Sequence, residues 1–219
     1  MTDSLLAELR ITEIFFSLQG EARTVGLPTV FIRLTGCPLR CSYCDTTYSF
    51  TGGEKYTLTA IIQQVADYGA KYVCVTGGEP LAQPNCLPLL TALCDAGYYV
   101  SLETSGALDV SHVDRRVSKV VDLKTPDSGE AHRNLYDNMQ HLTANDQIKF
   151  VICSRQDYQW AKFKIDEYQL NQRVSDVLLS PSHQQQDPRE LAEWILADKL
   201  AVRLQVQLHK YLWNNEAGH

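Results

Sequence analysis

The sequence has no apolar run that approaches the ~18 residues of a membrane-spanning helix, and it has no long run of lysine and arginine. Its opening segment, MTDSLLAELR, contains acidic residues and lacks the apolar stretch of a secretory signal. The formal net charge is −6, whereas phosphate backbones are bound by clustered basic side chains. These absences disfavour a membrane or nucleic-acid partner and favour a cytoplasmic location.

The chain also lacks the pattern of a disulfide-bonded protein. Its seven cysteines are odd in number, and no export signal precedes them, so a reducing compartment is expected. Buried packing is predicted for the cysteines that lie within apolar runs, which are Cys74, Cys94 and Cys153. Cys86, in QPNCLPLL, has no ligand-like spacing. Three cysteines remain to be explained.

The composition predicts a globular protein with one domain over residues 1–219, since 44% of the residues are hydrophobic and 21% are charged. Short β-branched or aromatic runs alternate with longer helical patterns. The predicted strands are 29–36, 71–77, 98–106, 118–124, 146–152, 175–180 and 201–209. The predicted helices are 57–69, 84–96, 131–143, 155–170 and 188–199. Such alternation predicts an α/β fold with a mainly parallel sheet, which is either open and doubly wound or an incomplete βα barrel.

Polar and glycine-rich segments follow most of the predicted strands. They read LTGC, VTGGEP, LETSG, VDLKTP and LLSPSH. Both architectures bind ligands at the carboxyl ends of their parallel strands. We therefore expect these segments to meet on one side of the sheet. In the last predicted helix, Asp187 is expected to be the N-cap and Pro188 the first helical residue.

The three remaining cysteines, Cys37, Cys41 and Cys44, are spaced C-x3-C-x2-C in GCPLRCSYC. Thiolates suit zinc, copper(I) and iron–sulfur clusters. Structural zinc normally takes four Cys or His ligands, and the six histidines lie far along the chain. A four-iron cluster fits better, because three cysteines can hold it and leave one iron open. Zinc with a distant fourth ligand and unligated thiols remain as alternatives.

The cysteine motif, with Tyr43 before the third cysteine, resembles the signature of the radical S-adenosylmethionine superfamily. The GGE of TGGEP resembles the segment that binds the methionine amino group in that superfamily. The resemblance implies an incomplete TIM-type βα barrel of about six parallel strands. It also implies one 4Fe–4S cluster whose open iron binds S-adenosylmethionine. Cleavage of this cofactor would give a 5′-deoxyadenosyl radical.

Further segments narrow the resemblance. SLQGE, CDTTY, DLKTPDSGE, SPSH and QLHKYLW occur in the order found in the 7-carboxy-7-deazaguanine synthase family, and the similarity spans almost the whole chain. The implied reaction is a lyase step of queuosine biosynthesis. It converts 6-carboxy-5,6,7,8-tetrahydropterin to 7-carboxy-7-deazaguanine with release of ammonia.

The resemblance also implies roles for individual residues. It places the cluster on Cys37, Cys41 and Cys44. It places S-adenosylmethionine on Tyr43, Asp45, Gly78, Glu79, Ser105, Lys124 and Ser180. It places the pterin on Leu18, Gln19, Gly20, Glu21, Arg33 and Thr76, with the Arg33 guanidinium on the substrate carboxylate. Thr46 is the implied Mg²⁺ ligand, and no other side chain is implied to be catalytic. His209 and Lys210 match the C-terminal motif without an assigned role.

The sequence departs from the family pattern at one position, and two other functions remain as alternatives. The family often reads LQGEG, whereas Ala22 follows Glu21 here, so the shape of this loop is an open question. A glycyl-radical activating enzyme would share the cysteine motif but would not need SLQGE or Arg33. A zinc or electron-transfer module would leave the GGE segment unexplained. The resemblance further implies a homodimer and an electron donor such as flavodoxin or ferredoxin.

Overall fold

A mixed sheet is the centre of the computed structural model, which describes residues 7–214, 216 and 218. Within these residues the nine strands are β1 (Glu8–Leu18), β2 (Pro28–Leu34), β3 (Glu54–Thr57), β4 (Tyr72–Gly77), β5 (Tyr99–Thr104), β6 (Ser118–Asp122), β7 (Gln147–Ile152), β8 (Asp176–Pro181) and β9 (Arg203–Leu204). Their order in the sheet is β3-β1-β2-β4-β5-β6-β7-β8-β9. β2 and β4 to β9 pair in parallel, whereas β1 runs antiparallel to β2 and β3.

The sheet is open, because β3 and β9 stand at opposite ends of the strand order. Among the described strands that run parallel, β2 and β4 to β8 each contain five or more residues, while β9 contains two. Sheets of this length twist, so the strands turn part of the way around an axis without closing. The predicted incomplete barrel of about six parallel strands is confirmed.

α-Helices follow several of the strands. Over the described residues the α-helices are α1 (Leu58–Asp67), α2 (Cys86–Asp95), α3 (Arg155–Glu167), α4 (Leu170–Arg173), α5 (Pro188–Ala197) and α6 (Leu208–Trp213). The predicted start of α5 is confirmed, because the Asp187 carboxylate accepts hydrogen bonds from the backbone N–H groups of Arg189 and Glu190. Such a cap satisfies helix N–H groups that have no partner within the helix.

The two faces of the sheet differ in character, since successive side chains of a strand point to opposite faces. On β4 and β5, Val73, Val75 and Leu102 pack with α1 and α2 in one apolar cluster. On β7, Ile148 and Phe150 pack with α3 and α5 in a second cluster. The strand residues that alternate with these apolar residues point to the opposite face of the sheet. They include charged and polar side chains that line a cavity.

The predicted helix over 131–143 is wrong. The structure has two short 3-10 helices there, Ala131–Arg133 and Tyr136–His141. Asn134 and Asn138 explain the difference, because their side-chain amides bond to other backbone segments: Asn134 to Lys124, and Asn138 to Val110, Gly106 and Leu108. Asparagine often bonds backbone groups in this way and so opposes a regular helix.

The predicted strand over 201–209 is also wrong for most of its length. Only Arg203–Leu204 pairs with β8. The backbone N–H of Leu208 instead donates to the Gly20 carbonyl at 3.0 Å, and α6 begins at that residue. The sequence reading assigned no element to β1 and β3, which are the antiparallel strands. No helix in the described part of the chain is both long enough and apolar enough to cross a membrane.

Candidate active site

A cavity of about 510 Å³ lies against the polar face of the sheet. The polar segments after β2, β4, β5, β6 and β8 contribute to it, which confirms that they meet on one side. Most of the predicted site residues line this cavity. They are Leu18, Gln19, Gly20, Glu21, Arg33, Cys37, Cys41, Tyr43, Cys44, Asp45, Thr46, Thr76, Gly78, Ser105 and Lys124. Glu79 and Ser180 are not among the lining residues, and both are buried.

The three cysteines lie on a loop, residues 36–46, that we call the cysteine loop. All three thiols are free and partly exposed. The loop is fastened by its backbone: the N–H of Arg40 donates to the Glu130 carboxylate at 2.7 Å, and the N–H of Ser42 donates to the Ser128 carbonyl at 3.0 Å. The loop can therefore present three thiols to one volume without helix or strand geometry.

The donor set fits a cluster better than a single ion. Within the described residues no group of three His, Cys, Asp or Glu side chains is placed to hold one metal ion. A cluster does not require such convergence, because each thiolate binds its own iron. Burial raises the pKa of Cys37, and it raises the pKa of Cys41 to about 11. The positive charge of iron would be needed to keep these thiols deprotonated at neutral pH.

Gly78 packs directly against the cysteine loop. A Cβ atom at this position would lie 2.3 Å from the Gly36 carbonyl oxygen and 2.7 Å from Cys37 Cβ. Any side chain would therefore push the end of β4 away from the first cysteine. The Gly-Gly pair of TGGEP thus has a packing reason that is visible in the structure.

Glu79 is fully buried, and its carboxylate accepts several hydrogen bonds. Thr104 Oγ1 donates to both oxygens at 2.9 Å, while the backbone N–H groups of Ser105 and Leu81 donate at 2.7 and 3.0 Å. The Ser105 hydroxyl bonds the same carboxylate. In this structure Glu79 joins the ends of β4 and β5, and its contact with a cofactor ammonium group stays a prediction.

The other residues predicted to bind the cofactor surround the cysteine loop. The Lys124 ammonium lies 3.0 Å from Asp122 and 5.7 Å from the centre of the Tyr43 ring. Asp45 is paired with Lys210 of α6 at 2.7 Å. Burial alone would raise the pKa of Asp45, but Lys210 outweighs it and lowers that pKa. Lys210 therefore acquires a structural role that the sequence did not reveal.

Arg33 is oriented by an ion pair and by two aromatic rings. Its Nε donates to Glu13 at 2.6 Å, and the same carboxylate oxygen accepts from the Tyr48 hydroxyl at 2.8 Å. The guanidinium carbon lies 5.7 and 5.8 Å from the centres of the Phe15 and Tyr48 rings. Because Nε is engaged, the two Nη groups are left to donate to a planar anion such as a carboxylate.

Glu21 belongs to a group of largely shielded ions that the sequence did not predict. The Lys149 ammonium lies 2.7 Å from Glu21, 3.5 Å from Glu103 and 3.7 Å from Asp122. We call these four residues the charged cluster. Burial opposes ionisation of Glu21, but Lys149 prevails and lowers its pKa to about 2. Burial raises the pKa of Glu103 to about 7. One signal was available, since Lys149 interrupts the apolar strand DQIKFVI.

The segment before α6 also reaches the cavity, which places the C-terminal motif in the site. Gln207 Nε2 donates to Glu21 at 2.6 Å. His209 packs against Gly20 so closely that a Cβ there would lie 2.2 Å from the imidazole Nδ1. Burial lowers the pKa of His209, so the neutral imidazole is favoured. Ala22, next to this loop, adopts a left-handed φ of 63°, the conformation that glycine prefers.

Several polar atoms in the cavity wall have no partner among the described residues. They are Gln19 Nε2, Tyr43 Oη, Glu103 Oε1 and Asp122 Oδ1. Buried polar atoms are nearly always hydrogen-bonded, so such atoms indicate a missing ligand. Both donors and acceptors are present, and they extend from the cysteine loop to the charged cluster. The cavity therefore fits a polar molecule that has donors and acceptors of its own.

Comparisons with known proteins agree with this geometry. The sequence model of the radical SAM superfamily matches residues 31–127. The chain is 45% identical to the 7-carboxy-7-deazaguanine synthase of Chlorobaculum tepidum, over 96% of this chain and 97% of the relative. It is 42% identical to that of Koribacter versatilis, over 95% and 98%. The crystal structure of QueE from Escherichia coli has the same fold, with a TM-score of 0.77 and 24% identity over 92% of this chain and 95% of the other.

Proposed function

Because the chain belongs to the 7-carboxy-7-deazaguanine synthase family of radical SAM enzymes, we propose that its cavity binds 6-carboxy-5,6,7,8-tetrahydropterin between the cysteine loop and the charged cluster. The enzyme is a lyase of queuosine biosynthesis that yields 7-carboxy-7-deazaguanine. Ammonia is the second product of this ring contraction. The activating-enzyme and zinc-module alternatives are set aside, since relatives along the whole chain are synthases.

The observation that carries the proposal is that Arg33 and the three thiols line one cavity. Arg33 offers two Nη groups to the pterin carboxylate, while Gln19 and Glu21 offer an amide and a carboxylate to the polar edge of the ring. Leu18, Gly20 and Thr76 complete this part of the wall. The pterin is thus bound at both ends, which fixes its orientation relative to the cysteine loop.

The donors of the cysteine loop fit a 4Fe–4S cluster and S-adenosylmethionine. Cys37, Cys41 and Cys44 would hold the cluster. Tyr43, Asp45, Gly78, Glu79, Ser105, Lys124 and Ser180 would hold the cofactor, the buried Glu79 and Ser180 from behind the cavity wall. When bound, the pair supplies a 5′-deoxyadenosyl radical that removes hydrogen from the substrate. The remaining task of the chain is to orient the pterin and exclude water.

We also propose Mg²⁺ at Thr46, which lines the cavity beside Cys44. A hydroxyl is a modest ligand, and magnesium keeps several waters and substrate oxygens in its shell. The substrate carboxylate held by Arg33 would supply such oxygens. The residues of this chain would then orient that carboxylate from two sides.

The enzyme needs an external reductant, for which we propose a flavodoxin or ferredoxin in a reducing cytoplasm. We further propose that residues 1–219 act as one domain and that the enzyme forms a homodimer, as the family resemblance implies. Seven free cysteines among the described residues suit a reducing compartment.

The test is an anaerobic assay of the reconstituted enzyme. We expect about four irons per chain. Incubation with S-adenosylmethionine, a reductant and the carboxypterin should release a deazapurine, detected by mass and ultraviolet absorption. Cofactor cleavage without pterin turnover would instead support an activating enzyme. Zinc uptake without iron would support a structural module.

Arg33→Ala tests the binding mode. Removal of a charge-assisted pair should raise the KM for the carboxypterin about 10-fold to 100-fold, while the iron content stays at the wild-type level. The matched control is Arg189→Ala, because Arg189 pairs with Glu193 on the exposed face of α5. Loss of the cluster in Arg33→Ala would show that Arg33 has a structural role.

A further inference from the structure

Lys149 is a partly buried cation to which the proposed binding of cofactor and substrate assigns no role. It lies on β7, and its side chain is 12% exposed. An ammonium group has three N–H donors, and three carboxylates surround this one, those of Glu21, Glu103 and Asp122. The Lys149 ammonium donates a hydrogen bond to Glu21 at 2.7 Å, and its charge lies within 4 Å of Glu103 and Asp122, so its nearest charged neighbours are protein carboxylates.

Glu103 depends on Lys149 more than the other two carboxylates do. Glu21 also accepts from Gln207, and Asp122 also pairs with Lys124. For Glu103, Oε2 faces Lys149 at 3.5 Å, and Oε1 is buried without a partner among the described residues. Without Lys149, three carboxylates would share a poorly hydrated volume, and like charges there repel strongly.

We propose that Lys149 is a positioning residue for the pterin reaction, because its ammonium holds Glu21 and Glu103 side by side as ionised acceptors that face the substrate. The inference rests on the proposed function, since it takes the ligand of the cavity to be the pterin. A reduced pterin has several N–H donors around its rings. Two adjacent carboxylates are the complementary acceptors, and the unpartnered Glu103 Oε1 is one of the free positions.

The same arrangement makes binding depend on pH. The groups that face Glu103 are Lys149 on β7, Asp122 on β6, Glu21 after β1 and the Cys74 thiol on β4. Burial raises the pKa of Glu103 to about 7, although Lys149 opposes the shift. Removal of the Lys149 charge raises the pKa of both Glu21 and Glu103. As the pH falls, the two carboxylates then become protonated, and stop acting as ionised acceptors, at a higher pH than in the wild type.

Both carboxylates also have neighbours outside the charged cluster. His209 faces Glu21 from α6, and Lys124 lies beyond Asp122 on the chain that follows β6. Burial favours the neutral form of His209, so it supplies little charge to replace Lys149. Lys124 is already paired with Asp122 at 3.0 Å. Lys149 is therefore the cation on which ionisation of Glu103 depends.

The test measures equilibrium binding as well as turnover. The dissociation constant of 6-carboxy-5,6,7,8-tetrahydropterin is measured anaerobically from about pH 6 to 9 on the cluster-loaded enzyme without reductant. The proteins are the wild type, Lys149→Met, the conservative Lys149→Arg and the control Lys162→Met. Lys162 pairs with Asp198 at 2.6 Å and does not line the cavity.

Wild-type binding should weaken as the pH falls through about 7, where Glu103 takes up a proton. In Lys149→Met the midpoint should rise by at least about one pH unit, and binding at neutral pH should weaken at least about fivefold. Lys149→Arg and Lys162→Met should keep the wild-type midpoint. If the pH profile of turnover shifts in the same direction, Lys149 also affects the rate of the reaction.

Two outcomes would contradict the proposals, and they differ. A wild type that binds no pterin overturns the proposed function and this inference with it. A wild type that binds, beside a Lys149→Met with the same midpoint and affinity, overturns the inference alone. If Lys149→Met does not fold, Lys149→Met/Glu103→Gln removes one cation and one carboxylate together. That double variant should bind at least about tenfold more weakly, without a midpoint near neutrality, and wild-type affinity would refute the inference.

Discussion

The cysteine loop and the charged cluster line one cavity, and they are built differently. The loop takes its three thiols from eight consecutive residues and is held by backbone hydrogen bonds. The charged cluster takes four side chains from four parts of the chain and is held by ion pairs. The three cysteines are partly exposed, and so are Lys149 and Glu103, whose side chains are 12% and 17% exposed, so the two groups differ in construction rather than in exposure.

The difference indicates how the cysteine loop and the charged cluster each tolerate amino-acid substitution. The loop depends on the identity of three residues, on close packing at Gly78 and on its backbone hydrogen bonds, so substitutions that leave these contacts in place should leave it intact. The charged cluster depends on a balance of charges in a poorly hydrated volume, so one substitution changes the protonation of its neighbours. The cysteine loop and the charged cluster should therefore fail separately when single residues are replaced.

The largest expected effect is loss of the cysteine loop alone. Cys41→Ala should lower the iron content from about four per chain to almost none, and cofactor cleavage and pterin turnover should both disappear. The circular dichroism spectrum should not change, because Cys41 lies outside the apolar clusters. Cys94→Ala, on α2, is the control and should keep its iron. Full iron loading of Cys41→Ala would contradict the assignment of the three thiols.

Gly20→Ala should disturb the part of the cavity beside Glu21 and leave the cysteine loop unchanged. The added Cβ would lie 2.2 Å from the His209 imidazole, so the His209 side chain or α6 must shift and change the cavity wall. We expect the kcat/KM for the carboxypterin to fall about 100-fold while iron content is unchanged. The cause can be checked with Gly20→Ala/His209→Ala. If the two side chains collide, the kcat/KM of this double variant should be no lower than that of His209→Ala alone.

Glu103→Gln should change how stability depends on pH. The pKa of Glu103 rises from 4.5 to about 7 on folding, so the folded protein binds this proton more tightly between those values. The contribution of Glu103 to the free energy of unfolding is therefore full at low pH and is lost as the pH rises through about 7. Urea unfolding at several pH values should show this decline in the wild type relative to Glu103→Gln. Identical pH dependence in the two proteins would refute the raised pKa.

Ala22→Gly should have the smallest effect. A left-handed φ of 63° strains an alanine by roughly 1–2 kcal/mol. Glycine would relieve that strain, but it would lose a buried methyl group worth about 0.8 kcal/mol and gain freedom in the unfolded state. We expect the free energy of unfolding to change by less than about 1 kcal/mol, and the cavity to keep its pterin affinity. A large loss of affinity would show that the methyl group shapes the Gln19–Glu21 loop.

The sequence predicted the parts of the molecule that are local. Six of the seven predicted parallel strands were placed within two residues at each end, because alternation and turn residues mark them. The cysteine loop was readable for the same reason, since its ligands are close in sequence. The predicted helix over 131–143 was wrong because the hydrogen-bond partners of Asn134 and Asn138 lie in other segments, which the local sequence does not show.

The charged cluster was not predictable because it exists only after folding. Glu21 and Gln207 are 186 residues apart in sequence, yet their side chains are joined at 2.6 Å. The roles of His209 and Lys210 depend in the same way on contacts with Gly20 and Asp45. A charged residue in an apolar strand, as at Lys149, is the one local sign that could have pointed to such a group.

The return of α6 to the Gly20 loop has a consequence for synthesis on the ribosome. The thiols at 37, 41 and 44 emerge early, while Gln207 and His209, which line the same cavity, emerge about 160 residues later. At about 5–20 residues per second the interval is on the order of ten seconds or more. During that time the nascent chain carries the three thiols before the segment that completes the cavity wall has been made.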